Sequence, residues 1–425
     1  MNPPLKIAIA GLGTVGGGVV KALAARGGEL AQRAGRGIEI VAVSARDARK
    51  ARGFDVPGWT ADPLSLATGN ADVVVELIGG EEGVARALVE AALKNGKHVV
   101  TANKALLAKH GAQLAALADK AKVALKFEAA AAGGIPIVKA LRESLIAYGV
   151  EAVQGILNGT CNYILTQMEA TGLDFDDVLK DAQAMGYAEA DPALDIGGGD
   201  TAHKLALLAS LAFGTAPALE NIFVEGIEHV TPADIHFARE FGFRIKLLGV
   251  ARRGVHGIDQ RVQPVLVRTA SPLAHVDGAF NAVVCDAGAA GRFFFAGRGA
   301  GEAPTASAVI ADLVDIARGD FGPAFGRPAA SLQKLVPAPA GENPCAYYLR
   351  FEVLDQPGVL AEIARYLAEA GVSIESMIQR GRGEPVSIVM ITHETSHTKV
   401  ERALKAIGAS DNVRARPCMI PMEAA

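Results

Sequence analysis

Between residues 6 and 135, short apolar runs alternate with longer stretches rich in alanine and leucine. Segments 6–10, 38–44, 72–77 and 98–101 have the length and composition of strands, and 83–95 and 104–120 those of helices, the first closed by Gly96. Near-continuous apolar strands separated by helices predict a parallel sheet covered on both faces, a doubly wound α/β domain over residues 1–135. Beyond it the alternation is lost. Helical patterns at 137–147 and 175–185 are followed by strand-like runs such as 262–267 and 282–285 with no helix between each pair, which predicts a mainly antiparallel sheet with helices on one face, an α+β domain over 136–304. Segment 305–318 returns to helix, and 305–320 is expected to pack back onto the first domain. Segment 321–345 contains Pro323, Pro328, Pro337, Pro339 and Pro344 and is expected to be a linker. The last stretch, 346–425, restarts with its own pattern: strand 347–353, a turn at Asp355-Gln356-Pro357-Gly358, helix 359–370, strands near 372–377 and 386–392, helix 399–406 and a closing strand near Val413. That order, βαββαβ, is ferredoxin-like.

Composition narrows the range of functions. The chain has 425 residues, too many for one ordinary core, and a net charge of −4, which removes the electrostatic footprint of a nucleic-acid binder. No run of 18 apolar residues occurs, so no membrane span is expected. The four cysteines lie far apart without a CxxC pair, against a disulfide framework or a zinc site. A cytoplasmic protein acting on a small molecule is expected.

Gly11-Leu12-Gly13-Thr14-Val15-Gly16 is a GxGxxG turn between a predicted strand and a predicted helix. The hexapeptide alone is weak, because glycine-rich turns are common; the strand-turn-helix setting makes it a Rossmann-type dinucleotide site. Gly11 permits the tight turn, Gly13 the approach of a pyrophosphate, and Gly16 close helix–strand packing, while the helix N-terminus offers free N–H groups to phosphate. Where the second strand ends, NAD proteins place an acid on the ribose. Here Ser44-Ala45-Arg46 precedes Asp47, with Lys50 beyond. Arg46 and Lys50 suit the 2′-phosphate of NADP; Asp47 stands close enough to serve NAD instead. Thr101 and Lys104 sit at the carboxyl edge of the sheet, where such folds bind ligands, and are expected to contact the cofactor, although a lysine there is equally suited to be a surface residue at a helix start.

The stretch from Glu189 to Lys204 gathers the carboxylates Glu189, Asp191, Asp195 and Asp200 with one lysine, at the start of an apolar helix. Asp200 taken alone reads first as an N-cap. Lys204, one turn on and on the same helix face, sits in a helix that is apolar almost all round, so an Asp200–Lys204 pair around a polar ligand is the more economical reading. Glu189 and Asp195 remain to bind an ammonium group.

These segments, in this order, resemble homoserine dehydrogenase: GLGTVGGGVV, VVELIGG, VTANKALLA, FEAAAAGGIPIV, GILNGTCNYIL and AMGYAEADPALDIGGGDTAHKLALLA, with an ACT domain as the tail. The resemblance spans the whole chain and points to the monofunctional form. It implies reversible NAD(P)H-dependent reduction of L-aspartate 4-semialdehyde to L-homoserine, with Lys204, Asp200 and Lys104 catalytic. It gives Glu189, Asp195, Asn158, Gly159 and Thr160 to the substrate. It also implies a sodium-type cation on the carbonyls of Glu128, Ala131, Gly133 and Ile135, threonine as an effector of the ACT domain, and a homodimer or homotetramer. Two alternatives remain at this level: another amino-acid dehydrogenase of the same build, and a catalytically inactive amino-acid sensor.

Overall fold

The computed structural model describes residues 2–47, 52–54, 57–339, 343–380 and 385–423. The chain divides into two compact units, Met1–Gly159 with Asp200–Ile222 and Phe280–Leu335, and Thr160–Gly199 with Phe223–Ala279 and Val336–Ala425. Each unit is therefore assembled from three stretches of sequence, and the division cuts through the 136–304 segment.

The first unit is built on a parallel sheet of β1 (Leu5–Ala10), β2 (Ile38–Ser44), β3 (Trp59–Thr60), β4 (Val73–Glu76), β5 (His98–Thr101) and β6 (Leu125–Lys126), in the order β3-β2-β1-β4-β5-β6. The helices α1 (Thr14–Ala34), α2 (Val84–Lys94) and α3 (Lys104–Ala121) alternate with these strands. Val73, Val74 and Val75 are all fully buried, as a strand covered on both faces requires. The strand order reverses between β1 and β4, so the crevice for a ligand opens at their carboxyl ends. Helix Glu302–Arg318 lies on this domain, with Ala306, Val309 and Leu313 in one core with Leu5, Ile7, Val19 and Leu23. Strands Ala152–Ile156 and Arg292–Arg298 flank Phe280–Asp286, both antiparallel to it.

Two local readings of the first unit change. The helix expected over 137–147 is an α-turn at Ile137–Lys139 running into a π-turn at Ala140–Ser144, closed by Leu145 N–H on the Ala140 carbonyl at 2.9 Å. Upstream of it, the Val138 and Lys139 amides, which a helix start leaves without intrahelical partners, donate to the Glu128 carboxylate. Segment 321–335 forms no helix or strand longer than three residues, yet Phe325 is 1 % exposed and its ring packs on Phe127.

In the second unit, Phe243–Arg253 and Ile258–Arg268 pair antiparallel along their whole length, with Phe223–Val224 parallel to the latter. The C-terminal region is a four-stranded antiparallel sheet in the order Ile374–Arg380, Val386–Thr392, Tyr347–Val353, Cys418–Pro421, carrying helices Val359–Glu369 and His397–Ile407. The closing strand is thus at Cys418–Pro421, not near Val413, which makes only an isolated bridge to Val353. The charged Arg414 and Arg416 follow Val413 directly, whereas Cys418, Ile420 and Pro421 supply the buried positions that a strand on this sheet needs. Strand Tyr347–Val353 is tied to helix Pro232–Glu240: the Tyr348 hydroxyl and Arg350 Nε donate to one oxygen of the fully buried Asp234, and Arg350 and Thr231 to the other. The fold class is the expected one, a Rossmann-type doubly wound sheet, an antiparallel α+β region and a ferredoxin-like tail. No helix among the described residues is long and apolar enough to cross a membrane.

Candidate active site

The glycine turn joins β1 to α1. Gly11 has φ of +105°, and a Cβ on it would lie 2.4 Å from the Leu77 carbonyl oxygen. A Cβ on Gly16 would lie 2.0 Å from the Gly11 carbonyl oxygen, so only glycine lets α1 approach the strand this closely. Gly13 is different: open space surrounds its Cβ position, as a group that must face a ligand requires. Gly13 caps α1 without a side-chain bond and the first turn has no acid, so its amides, those around exposed Thr14 and half-buried Val15 included, are available to an anion. Arg46 is exposed just past β2, and Lys50 lies outside the described residues. Thr101 is fully buried, its hydroxyl donating to Glu76 at 2.6 Å and accepting from Asn103 N–H at 2.9 Å.

Lys104 begins α3, and Asp200 and Lys204 lie one turn apart on helix Gly199–Phe213. The fold brings them together. Lys204 Nζ donates to Asp200 Oδ2 at 2.7 Å and to the Leu157 carbonyl at 2.7 Å; Lys104 Nζ stands 3.2 Å from Asp200 Oδ1. Asn158 Nδ2 donates to Asp200 Oδ2 at 2.8 Å. Burial would push the Asp200 carboxyl up, but the charges of Lys204 and Lys104 outweigh it and hold the group well below the usual carboxylate range. One permanent anion therefore holds two ammonium groups in a mostly buried recess, with Lys104 the more exposed at 33 %. Asn281, which the sequence did not single out, donates to the same Leu157 carbonyl at 3.0 Å. His203 is half-buried, and burial followed by the Lys104 charge lowers its pKa, keeping it neutral.

Glu189, Asp195 and Thr160 belong to the second unit and Gly159 ends a stretch of the first. Glu189 is exposed and Asp195 half-buried. The loop carrying them is fastened to helix Gly159–Thr171: the Thr160 hydroxyl donates to the Tyr187 carbonyl at 2.8 Å, Cys161 Sγ to the Asp195 carbonyl, and Tyr163 stacks on Tyr187.

The turn at 128–135 has Ala132 at φ +53° and Gly133 at φ +39°. A Cβ on Gly133 would lie 2.3 Å from the Gly299 carbonyl oxygen. No described backbone hydrogen bond outside the regular elements ends on the carbonyls of Ala131 or Gly133, whereas the Ile135 carbonyl accepts from Ile137. Beside this turn, burial and then the charge of Asp312 push the Glu128 carboxyl up to about 7, and burial lifts buried Asp312 to about 6. The Ala131 and Gly133 carbonyls are the groups of this turn that could take a cation.

Two matching family models cover this framework and a third the tail. The homoserine dehydrogenase model matches residues 136–314, the homoserine dehydrogenase NAD-binding domain residues 11–128, and the ACT domain residues 347–411. The homoserine dehydrogenase of Neisseria gonorrhoeae is 45 % identical over 99 % of both chains. The chain belongs to the homoserine dehydrogenase family. It is an oxidoreductase that acts on a CH–OH group with a nicotinamide cofactor, and it carries a C-terminal ACT domain. The crystal structure of a homoserine dehydrogenase from Thiobacillus denitrificans superposes with a TM-score of 0.94 at 45 % identity, covering 100 % of this chain and 99 % of that one. A hyperthermophilic archaeal homoserine dehydrogenase in complex with NADPH gives 0.64 at 26 % identity, covering 75 % of this chain and 99 % of that one.

Proposed function

We propose that the protein reduces L-aspartate 4-semialdehyde to L-homoserine, reversibly, with Lys204, Asp200 and Lys104 as its catalytic group. The observation that carries this reading is the anchoring of both lysines on one carboxylate. Hydride delivered to an aldehyde carbon leaves negative charge on the oxygen, and a positive, proton-donating group placed there stabilises it. Lys204 and Lys104 supply two such groups, and Asp200 keeps them side by side against their mutual repulsion. Asn158 fixes Asp200; Asn158, Gly159, Thr160, Glu189 and Asp195 bind the amino-acid end of the substrate. An inactive sensor would have no use for the two-lysine arrangement. Replacing Lys204 by alanine is expected to abolish turnover and leave NADPH binding nearly intact. Retention of more than about a tenth of kcat, a change of only ~1.4 kcal/mol in the barrier, removes Lys204 from the mechanism.

The cofactor is NADP in this reading, with NAD as a poorer substitute. Exposed Arg46 at the end of β2 and the NADPH bound by the archaeal relative support it. The pyrophosphate lies on Gly11, Gly13, Thr14, Val15 and Gly16. A sodium-type cation is held by carbonyls of Glu128, Ala131, Gly133 and Ile135, which orders the turn leading into the Ile137 segment. Threonine is the effector of the ACT domain in this reading: Gly358, at φ +98°, turns the chain into helix Val359–Glu369, whose N-terminus carries no side-chain cap, with Glu362 in its first turn. The protein works as a homodimer or homotetramer, consistent with the exposed Phe280, Phe293 and Phe294 on paired strands Phe280–Asp286 and Arg292–Arg298.

A further inference from the structure

Glu76, the last residue of β4, is fully buried, and no ion pair reaches it among the described residues. Its register neighbours are Ala10, just before the glycine turn, and Thr101, at the end of β5. A carboxylate buried without a cation is costly unless hydrogen bonds compensate it, and here three do. Oε1 accepts the amides of Ile78 at 2.8 Å and Gly79 at 3.0 Å; Oε2 accepts the Thr101 hydroxyl at 2.6 Å. Thr101 Oγ1 in turn accepts Asn103 N–H, and Asn103 Nδ2 donates to the Gly80 carbonyl at 2.7 Å. Gly80 follows Gly79, so the bonds close into a ring that locks together the turns leaving β4 and β5. The remaining Asn103 oxygen caps α3 through Leu106 N–H at 3.1 Å. Lys104 is the next residue, the first of α3, and its partly exposed side chain depends on that root to meet Asp200.

We propose that Glu76 is a positioning residue: through the ring with Thr101, Asn103 and Gly80 it fixes the root of Lys104 so that the ammonium group stands against Asp200. The chemistry explains why a carboxylate is used. Only a carboxylate accepts at both oxygens; a glutamine would accept the two amides but present an NH2 group to the Thr101 hydroxyl, leaving that proton without an acceptor. The proposal rests on Lys104 taking part in the reaction, so Lys104→Ala is measured alongside.

The test uses the full-length enzyme with NADPH and aspartate 4-semialdehyde. Kinetic constants, NADPH affinity from its fluorescence, and melting temperature are recorded for Glu76→Gln, Thr101→Val, Thr101→Ser and the double variant Glu76→Gln/Thr101→Val. Thr101→Val keeps the shape and removes only the hydroxyl, so it serves even if Glu76→Gln fails to fold. The expected result for Thr101→Val is a fall in kcat of about tenfold or more at saturating NADPH, and recovery of most of that loss in Thr101→Ser. In the double variant the losses should not multiply, because both changes open the same ring. A Thr101→Val enzyme within tenfold of the parent kcat, or losses that multiply, overturns the proposal while Lys104→Ala remains inactive. If Lys104→Ala itself turns over normally, the assigned role of Lys104 fails and the positioning role falls with it.

Discussion

Asp200 is the residue on which the site turns, a buried carboxylate touched by Lys204, Lys104 and Asn158. Removing its charge leaves two ammonium groups facing each other, and breaking a buried pair in this way typically costs about 3–5 kcal/mol. Asp200→Asn is expected to lower kcat by at least about a hundredfold and to lower stability at neutral pH. Because the folded-state pKa of Asp200 is depressed, its contribution is present above the unfolded value near ~4 and is lost as pH falls through the folded value. The melting temperatures of parent and variant should therefore lie furthest apart around neutrality and converge only below about pH 4; a gap that stays constant into acid would show that the lysines do not hold the carboxyl down. A second expectation belongs to Arg46: steady-state kcat/KM should favour NADP over NAD, and Arg46→Ala should narrow the ratio. An unchanged ratio would move 2′-phosphate recognition elsewhere. Asp200 and Lys204 were legible in the sequence because a charged pair one turn apart stands out on an apolar helix. Glu76 left a fainter sign, a carboxylate closing the run Val73-Val74-Val75, and Asn281 left none.

At the scale of elements, the glycine turn separates two roles that the same residue type plays. Gly16 is confined by the Gly11 backbone, while Gly13 faces open space. Gly16→Ala is expected to destabilise the enzyme by about 2 kcal/mol or more, because backbone must shift. Gly13→Ala should leave the melting temperature within about 2 °C of the parent and weaken NADPH binding roughly tenfold or more. Equal loss of stability in both would make the turn structural only. The strands of the parallel sheet were readable because short apolar runs have one buried solution, and Tyr347–Val353 because Leu349, Phe351 and Val353 alternate with Arg350 and Glu352. The π-turn at Ala140–Ser144 left no mark on the apolar spacing that distinguishes it from an α-helix, and β3 and β6 were too short to leave a pattern.

For the whole molecule, the ACT region is a part of its compact unit and not an appendage. Asp234 takes hydrogen bonds from Tyr348 and Arg350, and Glu423 N–H donates to the Leu266 carbonyl at 2.8 Å. Full-length protein is expected to bind threonine in calorimetry and to be inhibited by it at millimolar concentration. Deletion after about Pro344 should abolish that inhibition and also lower the melting temperature by several degrees, because buried Asp234 loses its partners. Threonine that neither binds nor inhibits the full chain leaves the region a structural module. The sequence by itself determined the βαβ frame, the glycine turn, the pairing of Asp200 with Lys204 and the βαββαβ tail, because each rests on neighbours in the chain and on periodic burial. Only the tertiary structure decided that Lys104 meets Asp200, that Glu76 and Thr101 close a ring between two strand ends, and that Arg350 finds Asp234. Those contacts join residues far apart in sequence, and a charge buried at such a junction is chosen for partners that local pattern does not record.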